Sequence, residues 1–441
     1  MSDRPNILYI LTDQQSALAM SCAGNPDLHT PAMDRLAAEG VRFDRCYTSQ
    51  PLCGPNRASM FSGLWPLEVG APRNGMPMSD AVAGRELGHL MADAGYDCAY
   101  AGKWHIPDIS VPDGEHGFRR IADFGDPPLA GACIDFLRGP HDRPFFLVAS
   151  FDNPHNICEW ARGERLPWGP LPQVPPADEL PNLPPNFAPP PYEPEIIRAE
   201  QRRSWIRYPS VDYTDDDWRR HRWGYYRLTE RADAEIGRLL DGLDAAGLAD
   251  NTVVIFSSDH GDGHGAHRWN QKCVLYEEVI RVPLIVRWPG RASAGTVDRA
   301  HLVSNGIDLL PTCCELAGVE PPEGVRGRTI APLLDGRSPA PWRDTLAVET
   351  EFDGPDSCHT EGRALLSDRY KYAVYRFSRH REQLFDLRDD PGEMVNLAVE
   401  SRHADVLDDH RRRLAAWVAE TDTRGYSRFQ VPGYETELRR R

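Results

Sequence analysis

The sequence predicts an α/β fold for most of this chain: a large mixed, mostly parallel sheet sandwiched by helices, followed by a smaller C-terminal α+β domain containing an antiparallel sheet. Three observations carry this. Short, wholly apolar runs recur and each ends in a cluster of Asp, His or Lys; helix-patterned segments separate them; and past residue 340 the pattern changes to short strands in close succession. At 441 residues the chain exceeds one typical domain. The expected division is 1–340 and 341–441.

The first apolar run, residues 6–12, ends in Asp13-Gln14-Gln15 and reads as a strand buried on both faces. Residues 31–40 and 87–95 have helical apolar spacing closed by Gly. Residues 97–101 form a strand running into Gly102-Lys103-Trp104-His105, and residues 144–151 another, ending in Asp152-Asn153-Pro154-His155. The same arrangement recurs at 252–258, which leads to Asp259-His260-Gly261-Asp262. In an open α/β sheet, ligands bind at the carboxyl ends of the strands, so these four ends can converge on one site although they are distant in sequence.

Residues 166–194 hold twelve Pro in 29 positions, too many for a helix or a sheet interior. A long loop is expected, forming a wall of the substrate pocket. Its surroundings include Trp160, Trp168, Phe187 and Tyr192, which either stack on a ligand or anchor the loop. Residues 198–248 look helical, with nine Arg up to Arg231 among aromatic residues. That mixture suits single-stranded nucleic acid, but Asp212 and Asp215 to Asp217 interrupt it. A solvated helix face with one or two substrate-reading Arg is the better reading. A strand at 282–288 and a helix at 305–316 follow. Beyond residue 340, strands at 345–348, 363–366, 370–375 and 383–387 form the small sheet, and 406–420 its covering helix.

Net charge is −16, which disfavours nucleic acid as a partner and leaves room for a small anion in a locally positive pocket. Only three of the 50 Lys and Arg are Lys, namely Lys103, Lys272 and Lys371. A retained Lys in such a chain marks a place suited to a compact ammonium charge. No run approaches a membrane span, and the start carries no basic segment with a cleavable apolar stretch. A cytoplasmic protein with ten reduced Cys and no membrane partner is expected. Nothing in the sequence fixes the oligomeric state.

The stretch 51–61, Pro-Leu-Cys-Gly-Pro-Asn-Arg-Ala-Ser-Met-Phe, concentrates a thiol, two Pro and an Arg. If it opens a helix, Cys53 lies at a positive helix N-terminus. Asp13, Gln14, Asp259 and His260 together make a divalent-cation site: two carboxylates balance the charge, and an amide oxygen and an imidazole nitrogen complete the shell. His260, His264 and His267 have the spacing of zinc ligands on a helix, but Gly261, Gly263 and Gly265 oppose a helix there.

Cys53-x-Pro55-x-Arg57 resembles the motif of formylglycine-dependent sulfatases of the alkaline phosphatase superfamily. Gly-Lys103-Trp-His105, Asn-Pro-His155, Asp259-His260 and His267-x-x-x-x-Lys272 resemble further motifs of that family in the same order, as does the segment from Gln383 to Leu397. The resemblance implies an alkaline phosphatase-like fold and a sulfuric ester hydrolase. It implies a Cys53 converted to formylglycine by a formylglycine-generating or sulfatase-maturing enzyme, with Ca²⁺ as first-choice metal and Mn²⁺ admitted by His260. Cys53 is then the nucleophile precursor, Arg57 a donor to the aldehyde hydrate, Lys103 a sulfate ligand, and His105 the hydrate's hydrogen-bond partner and proton acceptor. His155 is the general acid, and Lys272 reaches the sulfate, with His155 and His267 also binding substrate.

Gln14 departs from the second Asp of many members. It removes one negative charge and is shared with phosphonate monoester hydrolases of the same superfamily. The expected substrate is a small sulfated saccharide; a phosphonate monoester or phosphodiester is the alternative, and a silent sugar-binding protein with an unmodified thiol is the alternative of another class.

Overall fold

The computed structural model describes residues 4–337, 339, 341–422 and 429–435. Asn6–Asp13 lies inside an eight-stranded sheet with the order Arg119–Ala122, Asp97–Gly102, Phe145–Pro154, Asn6–Asp13, Thr252–Ser258, Leu284–Arg287, Val41–Phe43, Thr296–Asp298. All pairings run parallel except those of Leu284–Arg287, which is antiparallel to both neighbours. The sheet is therefore mixed and mostly parallel, as expected.

Asn6–Asp13 is apolar at nearly every position because both faces are covered. Ile7, Tyr9 and Leu11 pack with the helices Cys53–Ser62, Leu87–Asp93 and Asn305–Ala317. Leu8 and Ile10 point the other way, into a core shared with Pro31–Glu39, Asp126–Leu137 and Asp215–Ala245. Strand alternation thus sorts one run of residues into two cores. Four of the strands, neighbours in the sheet, end along the same edge, which carries Lys103, Asp152, Asp13 and Asp259.

Two sequence expectations change here. The helix expected over 198–248 is broken into Glu195–Arg203 and Asp215–Ala245. Pro209 disfavours helix at Tyr208, and Thr214 starts the second helix with a capping box closed by Asp217. The Pro-rich stretch is a loop with one short turn, Ala177–Glu179. It does not form a wall of the cavity beside Cys53; it borders a separate surface depression with Asp27 and Trp223. Its aromatic residues anchor it: Trp168 meets Phe124 edge-on, Phe187 packs on Trp218, Tyr192 on His380, and the neighbouring Trp160 lies against Trp223.

The second sheet is antiparallel, in the order Leu346–Glu351, Glu361–Leu366, Tyr370–Tyr375, Glu382–Asp386. The helix Ala404–Thr421 packs on its middle strands. Its inner face shares one core with Tyr47, Trp65, Trp269 and Leu275 of the larger part. Lys371, fully buried on the third strand, is clasped by Glu277 at 3.0 Å and Glu393 at 2.5 Å. The expected boundary residue, 340, lies outside the described residues.

Glu349 is the weak point of this junction. Its Oε2 accepts the Leu67 amide at 3.3 Å, while Oε1 is buried without a partner. Burial raises its pKa to about 7, with Glu68 and Asp422 adding to the rise against Arg363 and the Leu67 amide. Between its ordinary 4.5 and about 7 the unfolded chain ionises while the folded chain stays protonated, so stability is lost as pH rises through that window. Glu349→Gln removes the loss. Urea unfolding should show its advantage over wild type growing by about 2 kcal/mol from pH 5 to pH 8.5; a pH-independent difference would refute this.

Candidate active site

Cys53 is the first residue of the helix Cys53–Ser62, and Leu52 before it offers no side-chain cap. In the first turn the Gly54 amide donates to Asn74 Oδ1 at 2.9 Å, Pro55 has no N–H, and the Asn56 amide donates to the Leu52 carbonyl at 3.1 Å. A Cβ at residue 54 would lie 3.0 Å from both Asn74 Oδ1 and the His105 carbonyl, so glycine lets that loop close over the nucleophile.

The Cys53 sulfur is buried within a ring of charge. Lys272 Nζ lies 3.1 Å away, His260 Nε2 3.2 Å, and Asp13 Oδ1 accepts from the thiol at 3.5 Å. Burial and Asp13 raise the thiol pKa, yet Lys272, His260 and Lys103 outweigh them and hold it well below its ordinary value. Among buried cysteines of this chain the usual direction is upward, as at Cys46 and Cys133. Cys53 is set apart by its neighbours.

The acidic half of the ring is equally determined. Asp13 carries opposing influences: burial raises its pKa, and Lys103, His155, Arg57 and Lys272 bring it well below the carboxylate range. Burial and Asp13 shift Asp259 upward. His260 Nδ1 donates to the Gly261 carbonyl at 2.9 Å, which aims Nε2 at Cys53. Ligand atoms of Asp13, Cys53, Asp259 and His260 all lie within 4.8 Å of one another. Gln14 sits beside them with φ +69°: its Oε1 accepts from Lys272 at 3.0 Å, and its Nε2 donates to Asp262 at 2.7 Å. The amide oxygen keeps a second lone pair. Two carboxylates, an imidazole and an amide oxygen, with buried cations to balance them, fit a divalent cation.

Arg57 has a different part from the expected donation to the nucleophile. Nε donates to Asp259 Oδ2 at 2.8 Å, Nη2 to Asp13 Oδ2 at 3.2 Å, and Nη1 to the Lys103 carbonyl at 2.7 Å and Ser150 Oγ at 2.9 Å. With four donor contacts fixed elsewhere and none to the sulfur, it positions the two carboxylates. Lys103 Nζ bridges Asp13 Oδ2 at 3.0 Å and Asp152 Oδ1 at 2.9 Å.

His155 opens onto a cavity of about 390 Å³ that Lys272, Asn74, Arg162, Arg207 and Gly354 also line. Its Nδ1 lies 3.9 Å from Asp152 Oδ1. The His105 carbonyl lies beside Gly54, and its ring keeps a buried Nδ1 without a partner among the described residues.

His267 does not join this group. A turn with φ +53° carries it into a second buried cluster, stacked on Tyr276 at 3.8 Å and near Glu278 and Glu393. Burial, with Lys371 and Arg198, lowers its pKa to about 3. Fully buried and absent from the lining of the cavity beside Cys53, His267 cannot reach a substrate there, so its assignment to substrate is corrected. The Lys371 ammonium already occupies that cluster as its cation. All three Lys are buried and bonded to acceptors, which is the role their scarcity suggested.

Sequence reasoning overlooked Asp152, Asp262, Asn74 and Arg207. The two Asp lie inside strings already marked at strand ends; Asn74 and Arg207 come from irregular segments with no pattern to mark them.

Comparison with known proteins shows the family and the fold. The chain matches the family model described as Sulfatase over residues 5–319, and that described as N-sulphoglucosamine sulphohydrolase, C-terminal, over residues 265–420. It is 29% identical over 467 residues to a Delta 4,5-hexuronate-2-O-sulfatase of Bacteroides thetaiotaomicron, spanning 98% of this chain and 94% of that protein. The structure of a 2-O GAG sulfatase superposes with a TM-score of 0.83 at 26% identity, covering 96% of this chain and 93% of the other. A phosphonate monoester hydrolase of Agrobacterium radiobacter shares the fold, with a TM-score of 0.76 at 23% identity over 95% and 96% of the two chains.

If Arg57 fixes the carboxylates, Arg57→Lys keeps the charge and loses the fork. Divalent-cation affinity measured by calorimetry should fall roughly 10- to 100-fold, and an unchanged dissociation constant would show that the fork is dispensable.

Proposed function

Since the chain belongs to the sulfatase family, we propose that it hydrolyses the sulfate monoester of a small sulfated saccharide, using a formylglycine derived from Cys53 and a divalent cation. It is a sulfuric ester hydrolase. The observation that carries the finer reading is the setting of the Cys53 sulfur, buried at a helix N-terminus between Lys272, His260 and Asp13.

Conversion of Cys53 by a formylglycine-generating enzyme belongs to this reading; the hydrated aldehyde supplies one hydroxyl to attack sulfur and a second to release sulfate. The cation, Ca²⁺ as first choice and Mn²⁺ as the competitor suited to His260, would be held by Asp13, Gln14, Asp259 and His260, and supplies Lewis-acid polarisation of the sulfate. Lys272, already within 3.1 Å of the sulfur, binds sulfate oxygens and offsets the charge that develops on them. Lys103 fixes Asp13 and adds a second ammonium to the same electrostatic trap.

His155 faces the cavity and protonates the departing sugar oxygen, with Asp152 nearby to orient its ring. His105, whose carbonyl lies beside Gly54 and whose buried Nδ1 has no partner among the described residues, takes the proton when sulfate leaves. The saccharide is supported by relatives whose names specify a hexuronate sulfate and an N-acetylglucosamine 6-sulfate, and by a cavity of a size that suits a small ligand. Gln14 favours a second reading, a phosphonate monoester or phosphodiester, since every residue named above serves phosphorus as well.

Mass spectrometry of the peptide around Cys53 from the native host should show an aldehyde in place of the thiol; a thiol throughout would remove the nucleophile. Cys53→Ala should lower kcat toward an aryl sulfate by on the order of 10⁴-fold, and Lys272→Ala by on the order of 10²-fold. Full activity in Cys53→Ala refutes the mechanism. Chelation should abolish turnover, with Ca²⁺ or Mn²⁺ restoring it. Rates on matched aryl sulfate and aryl phosphonate decide between the two esters: the sulfate should be faster by at least roughly tenfold.

A further inference from the structure

The cavity beside Cys53 carries two guanidinium groups in unequal states. Arg162 is neutralised, its Nε and Nη2 on Glu164 at 2.8 and 2.9 Å and its Nη2 also on Glu159 at 3.0 Å. Arg207 has no carboxylate within ion-pair distance among the described residues. Among the described residues its one side-chain hydrogen bond runs from Nη1 to the Asp353 carbonyl, so Nε and Nη2 keep their protons for another acceptor.

The surrounding chain is built to hold this group in place. The Arg207 amide donates to the Ser204 carbonyl at 2.9 Å, and Gln271 Nε2 donates to the Arg207 carbonyl. Gln271 follows from the same loop as Lys272, and its own amide donates to Asp262 at 3.0 Å. Gly354, with φ +119°, lies flat against the guanidinium: a Cβ there would fall 2.3 Å from Nη2. Only glycine permits that approach. The segment 354–356 therefore fits against Arg207 and lines, with it, the same cavity that Lys272 and His155 reach.

Asp353 and Glu200 favour the charge of this half-buried guanidinium from beyond ion-pair distance, but neither takes its free donors, which are set for an anion from outside. A planar fork matches the paired oxygens of a carboxylate or sulfate. We infer that Arg207 is a second anion subsite, and that the substrate carries a second anionic group, a carboxylate or another sulfate, beside the ester that is cleaved. The inference rests on the sulfatase reading for which ester is broken, and on Arg207 alone for the second charge.

The test separates these two dependences. In protein carrying Cys53→Ala, so that nothing is turned over, calorimetry gives dissociation constants for three sugars with the sulfate at the same position: one otherwise neutral, one with a carboxylate, one with a second sulfate. The dianionic sugars should bind at least tenfold tighter than the neutral one. Arg207→Ala on that background should erase the preference, and Arg207→Lys should restore part of it. Loss for the uronate alone assigns a carboxylate, loss for the disulfate alone a sulfate, and either supports the subsite. A preference unchanged in Arg207→Ala, or absent before substitution, overturns it. Arg207→Gln, which keeps the stem and the packing against Gly354, replaces Arg207→Ala if the latter melts early. Failure of wild type to hydrolyse an aryl sulfate would count against the sulfatase reading and leaves these binding ratios valid.

Discussion

One guanidinium holds the site together. The four side-chain contacts of Arg57 reach Asp13, Lys103, Ser150 and Asp259, and those residues come from the ends of four neighbouring strands. A fully buried cation is tolerable only when its hydrogen bonds and its charge are met. The strand ends must therefore meet at fixed distances for Arg57 to be buried, and Arg57 must be buried for Asp13 and Asp259 to lie so close. Lysine, with a single point of charge, cannot span four directions in a plane. The helix Cys53–Ser62 is joined to the sheet by this contact, and Cys53 is thereby fixed four residues upstream of Arg57.

The charges around Cys53 form alternating layers. Asp13 and Asp259 would repel each other if left alone; Arg57, Lys103 and Lys272 stand between and beside them. The same cations that make two carboxylates tolerable also pull the Cys53 thiol downward. An incoming sulfate therefore meets an environment already arranged for negative charge, and little reorganisation is left for the chemical step. Preorganisation here comes from folding, since most of these groups are buried against strands whose register is fixed by two cores.

The framework and most of the site could be read from the sequence because their signals are local. An apolar run ending in Asp or His is a buried strand with a polar exit, wherever it lies, and Asp13, Lys103, His155 and Asp259 all belong to such strings, while Cys53 and Lys272 stand in short motifs of their own. What escaped depends on direction, which spacing does not encode. His267 lies five residues before Lys272 in the chain, but a residue with positive φ turns it into another core. Arg57 was legible as an important cation, while the partners that define its work come from four strands. Arg207 sits in an irregular segment produced by Pro209 and the cap at Thr214, so the helical periodicity on which its neighbours were judged does not extend to it. The Pro-rich loop had the composition of a functional wall, yet its aromatic rings are consumed in anchoring it.

Gln14 shows why a one-residue comparison of charge misleads. Read alone, an amide in place of a carboxylate removes a negative charge and leaves a more positive pocket. In the fold, Gln14 Nε2 donates to Asp262 at 2.7 Å while its Oε1 accepts from Lys272 at 3.0 Å. The amide therefore links a cation beside the nucleophile to an anion one layer farther out, and the missing charge is displaced rather than deleted. Asp262 also accepts the amides of His264 and Gln271, which ties the same charge to the loop that presents Lys272 and supports Arg207. The net charge of the inner layer and the stiffness of the cavity wall are thus set by a single hydrogen-bonded chain. That chain of hydrogen bonds runs from Lys272 through Gln14 and Asp262 to Gln271 and the Arg207 carbonyl, so one network holds both cations of the cavity wall.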